Sequence, residues 1–319
     1  MTRVLVTGAT GFVGQTLCEL LARSGYVVRA ALRNDRSIPA YISEKAVVGD
    51  IATTTDWRTA LRGVDIVLHI AARVHVLHDD ASANSDLYIE TNARGTEHLA
   101  NASALAGIHR FEYLSSVKVN GEETTGHAYT AYDEPRPQDA YGMSKWFAEK
   151  HVMEVAARTG MESVIVRSPL VYGPGVRANF LRLLRWVDKE WPLPLGAIEN
   201  SRSLVSIWNL CDLLVLLLKH PLAPGRTWMV SDGEDLSTPE LIQRVGSAMS
   251  RRVRLLPVPV GMLRLFGGLI GHKAEMVRLC GSLVVNIEDT RRELQWSPPI
   301  KLDEGLARTV AAYLAGRRQ

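Results

Sequence analysis

Residues 7–14 read TGATGFVG. They follow the β-branched run RVLVT (3–7) and open an apolar-periodic segment from Phe12 to Leu21, so the order is strand, glycine loop, helix. Gly8 suits a tight turn, and a side chain at Gly11 would keep the backbone away from a pyrophosphate. Gly14 lets the helix pack closely on the strand. The helix N-terminus adds unpaired N–H groups and a partial positive charge. The stretch therefore predicts a dinucleotide phosphate cradle built by Gly8, Thr10, Gly11, Phe12, Val13 and Gly14.

Outward from this loop, short continuous apolar runs alternate with helical periodicity: VVRAAL (27–32), AVVG (46–49), DIVLHI (65–70), FEYLS (111–115) and ESVIVR (162–167). A helix is expected near 86–106. Apolar strands separated by helices predict a parallel sheet covered on both faces, the α/β Rossmann doubly wound fold. After Pro169 the chain turns rich in Pro and Gly. This predicts a dinucleotide-binding domain over 1–170 and a smaller C-terminal substrate-binding region over 171–319, with 204–219 returning to the first domain. The polar stretch 121–139 is the expected mobile segment.

Composition narrows the function classes. The net charge of +3 over 319 residues is too small and too evenly spread to suggest nucleic acid. Arg251, Arg252 and Arg254 read as solvated surface. Cys18, Cys211 and Cys280 lie far apart without metal spacing, which suits a reduced cytoplasmic setting. His69, His75 and His78 lack a fourth ligand, so no metal site is expected and they read as cofactor-loop or surface residues. No signal peptide is expected. Neither 204–219 nor 255–271 supplies the ~18–20 clean apolar residues of a membrane span. A peripheral contact at 260–271 is the alternative to burial.

The run YGMSK (141–145) places Tyr141 and Lys145 one helical turn apart on one face. A phenol of pKa near ~10 becomes an acid–base group at neutral pH only if its anion gains roughly 4 kcal/mol. A neighbouring ammonium supplies charge of the right sign.

The glycine spacing with YxxxK downstream resembles the extended short-chain dehydrogenase/reductase family of nucleotide-sugar epimerases, dehydratases and ketoreductases. VVGDI (47–51), HIAA (69–72), TNARGT (91–96), YLSSVKVNG (113–121) and RSPLVYGPG (167–175) resemble further stretches of it, with Asn120 replacing a usual tyrosine. The resemblance implies that Ser116, Tyr141 and Lys145 are catalytic, with Lys145 also holding the nicotinamide ribose. It implies cofactor contacts at Asp50, Ile51, Ala71, Ala72, Asn92, Ser115, Pro169 and Val171. ANFLRLL (178–184), LPLG (193–196) and NSRSLVSIWNLCD (200–212) resemble its nucleotide-diphosphate half. That likeness implies substrate contacts at Asn179, Leu195, Arg202 and Arg278. Residues 289–298 resemble its closing helix.

The second strand bears on the cofactor. NAD-preferring relatives end it in a carboxylate that binds the ribose hydroxyls. Leu32 and Arg33 stand there instead, so Arg33 is expected to pair with a 2′-phosphate and NADP(H) is expected, with NAD(H) the alternative. A reductase follows. The resemblance to surface-polysaccharide (O-antigen) enzymes implies a UDP-4-keto-6-deoxy-N-acetylhexosamine 4-reductase giving UDP-N-acetylquinovosamine or UDP-N-acetylfucosamine. A UDP-hexose or UDP-N-acetylhexosamine 4-epimerase with bound NAD is the alternative, and a non-catalytic NADP sensor a third reading. A homodimer through helices near 93–106 and 143–158 is expected, in the cytoplasm or peripheral to the inner membrane face.

Overall fold

The computed structural model describes residues 1–74, 85–269 and 279–317. Strands β1 (Arg3–Thr7), β2 (Val27–Leu32), β3 (Glu44–Val47), β4 (Ile66–His69), β5 (Arg110–Ser116) and β6 (Glu162–Ser168) build one parallel sheet. A seventh strand belongs to the same sheet. It comes from far beyond residue 170, as β9 (Arg226–Met229) beside β6. The order β3-β2-β1-β4-β5-β6-β9 reverses direction between β1 and β4. Ligands of doubly wound sheets bind outside the carboxyl ends of the strands at that reversal. The glycine loop leaves β1 there, and Ala71 follows β4.

Helix α1 (Phe12–Arg23) covers one face of the sheet, after which come the short α2 (Arg58–Leu61) and α3 (Ser85–Tyr88). Helices α4 (Gly95–Leu105) and α5 (Ala140–Thr159) cover the other face. Leu99, Ala100, Ala148, Val152 and Val155 are buried there against Phe111 and Tyr113 of β5. Each large apolar side chain so buried contributes about 1.5–3 kcal/mol. The helix expected over 86–106 is not one regular helix. Ile89–Arg94 winds as a π-helix between α3 and α4, and such wide turns concentrate at functional sites.

Beyond β6 the chain forms β7 (Leu170–Tyr172), α6 (Ala178–Asp188), β8 (Arg202–Ser206) and α7 (Ile207–Leu217). Helix α7 packs back on the face that holds α1, where Leu210, Leu213 and Leu214 join Leu17, Cys18 and Leu21. After β9 come β10 (Asp235–Leu236), α8 (Thr238–Met249), α9 (Val260–Leu269), α10 (Glu288–Leu294) and α11 (Leu302–Gly316). Strands β10, β8 and β7 form a small second sheet. A separate core gathers Phe180, Leu184, Ile242, Leu302 and Leu306, and Phe12 packs against this core as well as the first. Among the described residues, no helix is long and apolar enough to cross a membrane.

Candidate active site

The glycine loop has the backbone its sequence demands. Gly8 adopts φ +73, and a Cβ there would meet the Ala71 backbone at 3.0 Å. A Cβ on Gly14 would lie 2.0 Å from the Gly8 carbonyl oxygen. Gly11 caps α1 with no side-chain hydrogen bond, so the first turn keeps its N–H groups toward the loop. The Ser115 hydroxyl, buried at the carboxyl end of β5, has no hydrogen-bond partner among the described residues. A cradle closed to any Cβ and an orphaned buried hydroxyl fit a bound dinucleotide. Gly14→Ala is expected to push α1 off the loop and weaken cofactor binding at least about tenfold, or about 1.4 kcal/mol. Titration of cofactor fluorescence checks this; unchanged affinity would show that the loop yields freely.

The remaining expected cofactor residues surround this crevice unevenly. Thr10 and Val13 lie on the loop and first turn, and Val13 gives its carbonyl to Cys211 of α7 at 3.9 Å. Ile51 packs under Gly95, where a Cβ would sit 2.7 Å from its Cγ2. Ala72 is partly exposed, Pro169 is buried at the bend between β6 and β7, and Val171 is partly buried on β7. Asn92, expected as a cofactor contact, is held by protein partners. Its amide binds the Arg73 backbone, accepting from N at 2.7 Å and donating to O at 3.0 Å, and also donates to Ser144 Oγ at 3.0 Å. It therefore ties the loop after β4 to the first turn of α5.

Ser116, Tyr141 and Lys145 converge. Ser116 ends β5 and accepts from the Lys118 N–H at 3.3 Å. Its hydroxyl also bonds the Tyr141 phenol. Asp139 caps α5, accepting from the Gly142 N–H at 2.7 Å, and is itself gripped by the Lys118 ammonium, which also binds Glu122 at 2.7 Å. This cap fixes the direction in which Tyr141 leaves the helix. Lys145 is buried, donates to the Leu114 carbonyl at 2.7 Å and lies 4.5 Å over the Tyr113 ring. Its ammonium is 6.0 Å from the Tyr141 ring.

The electrostatics differ from expectation. Desolvation pushes the partly buried Tyr141 phenol above its ordinary value, with Asp139 adding to the rise and the Ser116 bond opposing it. Burial draws Lys145 down to about 7, against the opposing pull of Glu149. The side chains around Tyr141 thus do not make it more acidic. Sequence reading missed the support behind Lys145. Glu149, one turn on along α5, holds Arg167 of β6 through bonds of 3.0 and 2.6 Å. Arg167 in turn donates to Asn120 at 3.1 Å, and Asn120 donates to the Thr130 carbonyl at 2.9 Å. The i, i+4 relation of Lys145 and Glu149 was legible; the partner on β6 was not.

His69 is neither a surface nor a loop histidine. It ends β4, fully buried, with its ring nitrogens 2.6 Å from Thr7 Oγ1 and 2.8 Å from Thr96 Oγ1. Burial, with Lys145 nearby, lowers its pKa to about 3. The unfolded chain therefore takes up a proton below its ordinary value of 6.5 that the folded protein refuses until about 3. Stability is present above 6.5 and falls as pH drops through that window. Between about pH 7.5 and 5 the wild type should lose about 2 kcal/mol more than His69→Gln, as urea midpoints would show. Equal losses would remove His69 as the cause. His75 and His78 lie outside the described residues.

On the adenine side, Leu32 ends β2 without a carboxylate, as the sequence showed. Yet Arg33 pairs with Asp50, Nε to Oδ1 at 2.5 Å, both side chains exposed. The expectation of an Arg33 open to a 2′-phosphate thus meets a competing carboxylate that folding places beside it. The substrate half departs further. Leu195, expected as a substrate contact, has its side chain buried in the second core. Residues 193–196 form no strand but are laced to the backbone of 254–256. Arg202 donates to the Gly281 carbonyl at 2.9 Å, which ties β8 to the segment beside it. Asn179 is exposed at the start of α6 and accepts from Arg182 at 2.8 Å. Arg278 lies outside the described residues.

Comparisons with known proteins agree with this architecture. A model of the NAD dependent epimerase/dehydratase family matches residues 4–231. The chain is 43% identical over 314 residues to a UDP-glucose 4-epimerase of Vibrio cholerae, covering 98% of this chain and 95% of that protein. It is 31% identical over 348 residues to a 3-beta-hydroxysteroid dehydrogenase of Mycolicibacterium neoaurum, covering 98% and 91%. Among solved structures, UDP-glucuronic acid 4-epimerase from Bacillus cereus in complex with NAD superposes with a TM-score of 0.79. That likeness covers all of both chains at 21% identity and speaks for the fold alone. The glycine cradle, the gathered Ser–Tyr–Lys group and a family match across most of the length lead to one conclusion: this chain belongs to the NAD dependent epimerase/dehydratase family.

Proposed function

We propose that the protein is a nucleotide-sugar 4-epimerase that retains NAD and interconverts a UDP-hexose or UDP-N-acetylhexosamine with its C4 epimer. The observation that carries this reading is the 43% identity, along nearly the whole chain, to the Vibrio cholerae UDP-glucose 4-epimerase. It favours this reading over the 4-ketoreductase expected from the second strand. Ser116 orients the C4 oxygen of the sugar, Tyr141 takes its proton and later returns it, and Lys145 holds the cofactor ribose and steadies the phenolate. Held by the glycine loop, Ser115 and Lys145, NAD would supply the hydride acceptor and donor for the sugar C4. Its positive nicotinamide adds the charge that Tyr141 lacks in the protein alone. Asp50, beside Arg33, would repel a 2′-phosphate, which supports NAD over NADP.

Denaturing the purified protein and separating the released nucleotide should yield NAD. UDP-glucose and UDP-galactose, or their N-acetyl counterparts, should interconvert without added cofactor. A second reading keeps one specific observation behind it: no carboxylate ends β2 at Leu32, as suits an NADPH-dependent reductase of UDP-4-keto-6-deoxy-N-acetylhexosamine. Stoichiometric NADPH oxidation with that keto sugar, and no epimer interconversion, would overturn the epimerase in its favour. Assembly as a homodimer through α4 and α5 goes with either reading. Trp146 and Phe147 stack at 5.4 Å on α5, both partly buried, and Met153 is exposed, whereas Val152 and Val155 are already used by the chain's own core.

A further inference from the structure

Helix α9 carries the sequence VGMLRLFGGL, in which Arg264 is the single charged residue. A surface helix of a soluble protein ordinarily shows one apolar stripe and one polar face. Here Leu263 turns into the second core, while Met262 is 48% and Leu265 65% exposed. Exposed apolar side chains also precede the helix along the chain. Leu256, 49% exposed, is laced by backbone hydrogen bonds to 193–196, immediately after Trp191, which is 52% exposed. Exposed apolar groups that gather on one face mark an interaction surface.

The charges around it indicate what covers it. Lys189, Arg252 and Arg254 are exposed, and the Lys189 ammonium lies 4.5 Å over the Trp191 ring. Residue 254 adjoins Leu193 through its carbonyl, and the Arg252 N–H meets Glu190 at 3.1 Å. Glu190 is the exposed carboxylate within that cluster. Asp188 is buried and bound by Arg251, Arg317 and Tyr313. A tryptophan and apolar helix residues flanked by cations match the layering of a bilayer surface, with ring and side chains among the acyl boundary and cations at anionic headgroups.

We propose that the face formed by Trp191, Leu256, Met262 and Leu265 docks on an anionic phospholipid bilayer through its apolar side chains and the Lys189, Arg252 and Arg254 cations. These residues come from segments 189–191 and 252–265, none of which carries Ser116, Tyr141, Lys145 or the glycine loop. Docking is therefore independent of which reaction the site performs.

The test is sedimentation of the full chain with vesicles of phosphatidylcholine alone or with about one-third phosphatidylglycerol. Binding is expected to the anionic vesicles, to weaken with added salt, and to shift the tryptophan emission to the blue less in Trp191→Phe. Arg252→Glu with Arg254→Glu should lower partitioning by at least about twenty-five-fold, since each basic residue near such a surface contributes about fivefold. Met262→Glu with Leu265→Glu should lower it at least tenfold. Both variants should keep the wild-type circular dichroism and lipid-free turnover. Equal binding to neutral and anionic vesicles, or binding untouched by either double variant, would overturn the proposal. So would patch variants that change only the molecular mass in light scattering, which would make a second copy the occupant.

Discussion

Tyr141→Phe is expected to reduce epimer interconversion by about a thousandfold or more while cofactor affinity stays within a few-fold of wild type. Removing a positioned acid–base group costs about two to four orders of magnitude in rate. Here the hydroxyl is also the atom that Ser116 engages. The ring would keep its edge-on contact with Tyr88 at 6.3 Å, and Lys145 would keep the Leu114 carbonyl, so the fold has no reason to shift. A variant with near-normal turnover would remove Tyr141 from the chemistry. Loss of the cofactor together with activity would instead make the tyrosine a binding element. Thermal midpoints of the two proteins decide whether a fall in rate reflects the site or the fold.

Glu149→Ala should destabilise the protein by about 3–5 kcal/mol, because it strands a buried guanidinium without its carboxylate. The side chains of Arg167 and Glu149 are 5% and 3% exposed, and their two parallel bonds are hard to replace with water. That loss is a large share of the roughly 5–15 kcal/mol that holds a domain folded. Replacing both partners by apolar residues, as in Glu149→Leu with Arg167→Met, should recover most of it. Denaturant midpoints of the three proteins test this directly. A single variant as stable as wild type would show that the guanidinium finds another partner. The single variant should also lose activity beyond its stability loss, since Glu149 opposes the burial that drains charge from Lys145. Asn120 and Thr130 extend the same chain of bonds into the loop before α5.

The parts of the site that were legible in the sequence are those in which a local pattern suffices. TGATGFVG permits few backbones: Gly8 turns at φ +73, and a Cβ on Gly14 would strike the Gly8 carbonyl six residues back. Tyr141 and Lys145 share a helix, so their one-turn spacing is set by α-helical geometry. The parallel sheet was legible for a similar reason, as apolar runs alternating with helices have few other ways to bury both faces.

What the sequence did not reveal depended on a partner far along the chain. Leu195 was read as a ligand contact, and its side chain lies in the second core. Arg33 looked free for a phosphate until β3 and the loop after it brought Asp50 within 2.5 Å. Asn92 and His69 were read as cofactor-side residues. Their polar atoms instead join β1, β4, α4 and α5 to one another, links between residues up to 62 positions apart. The seventh strand, Arg226–Met229, came from a stretch read as a separate region, because a short edge strand carries little periodicity of its own.

By itself the sequence determined the α/β class, the backbone of the glycine loop and the Tyr–Lys turn, all consequences of steric rules that act over a few neighbouring residues. Only the tertiary structure decided which charges those residues feel. It buried Lys145 and His69, raised the Tyr141 phenol above its ordinary value, and set Asp50 against Arg33. Desolvation and ion pairing depend on atoms that meet across the fold, and no local pattern records those meetings.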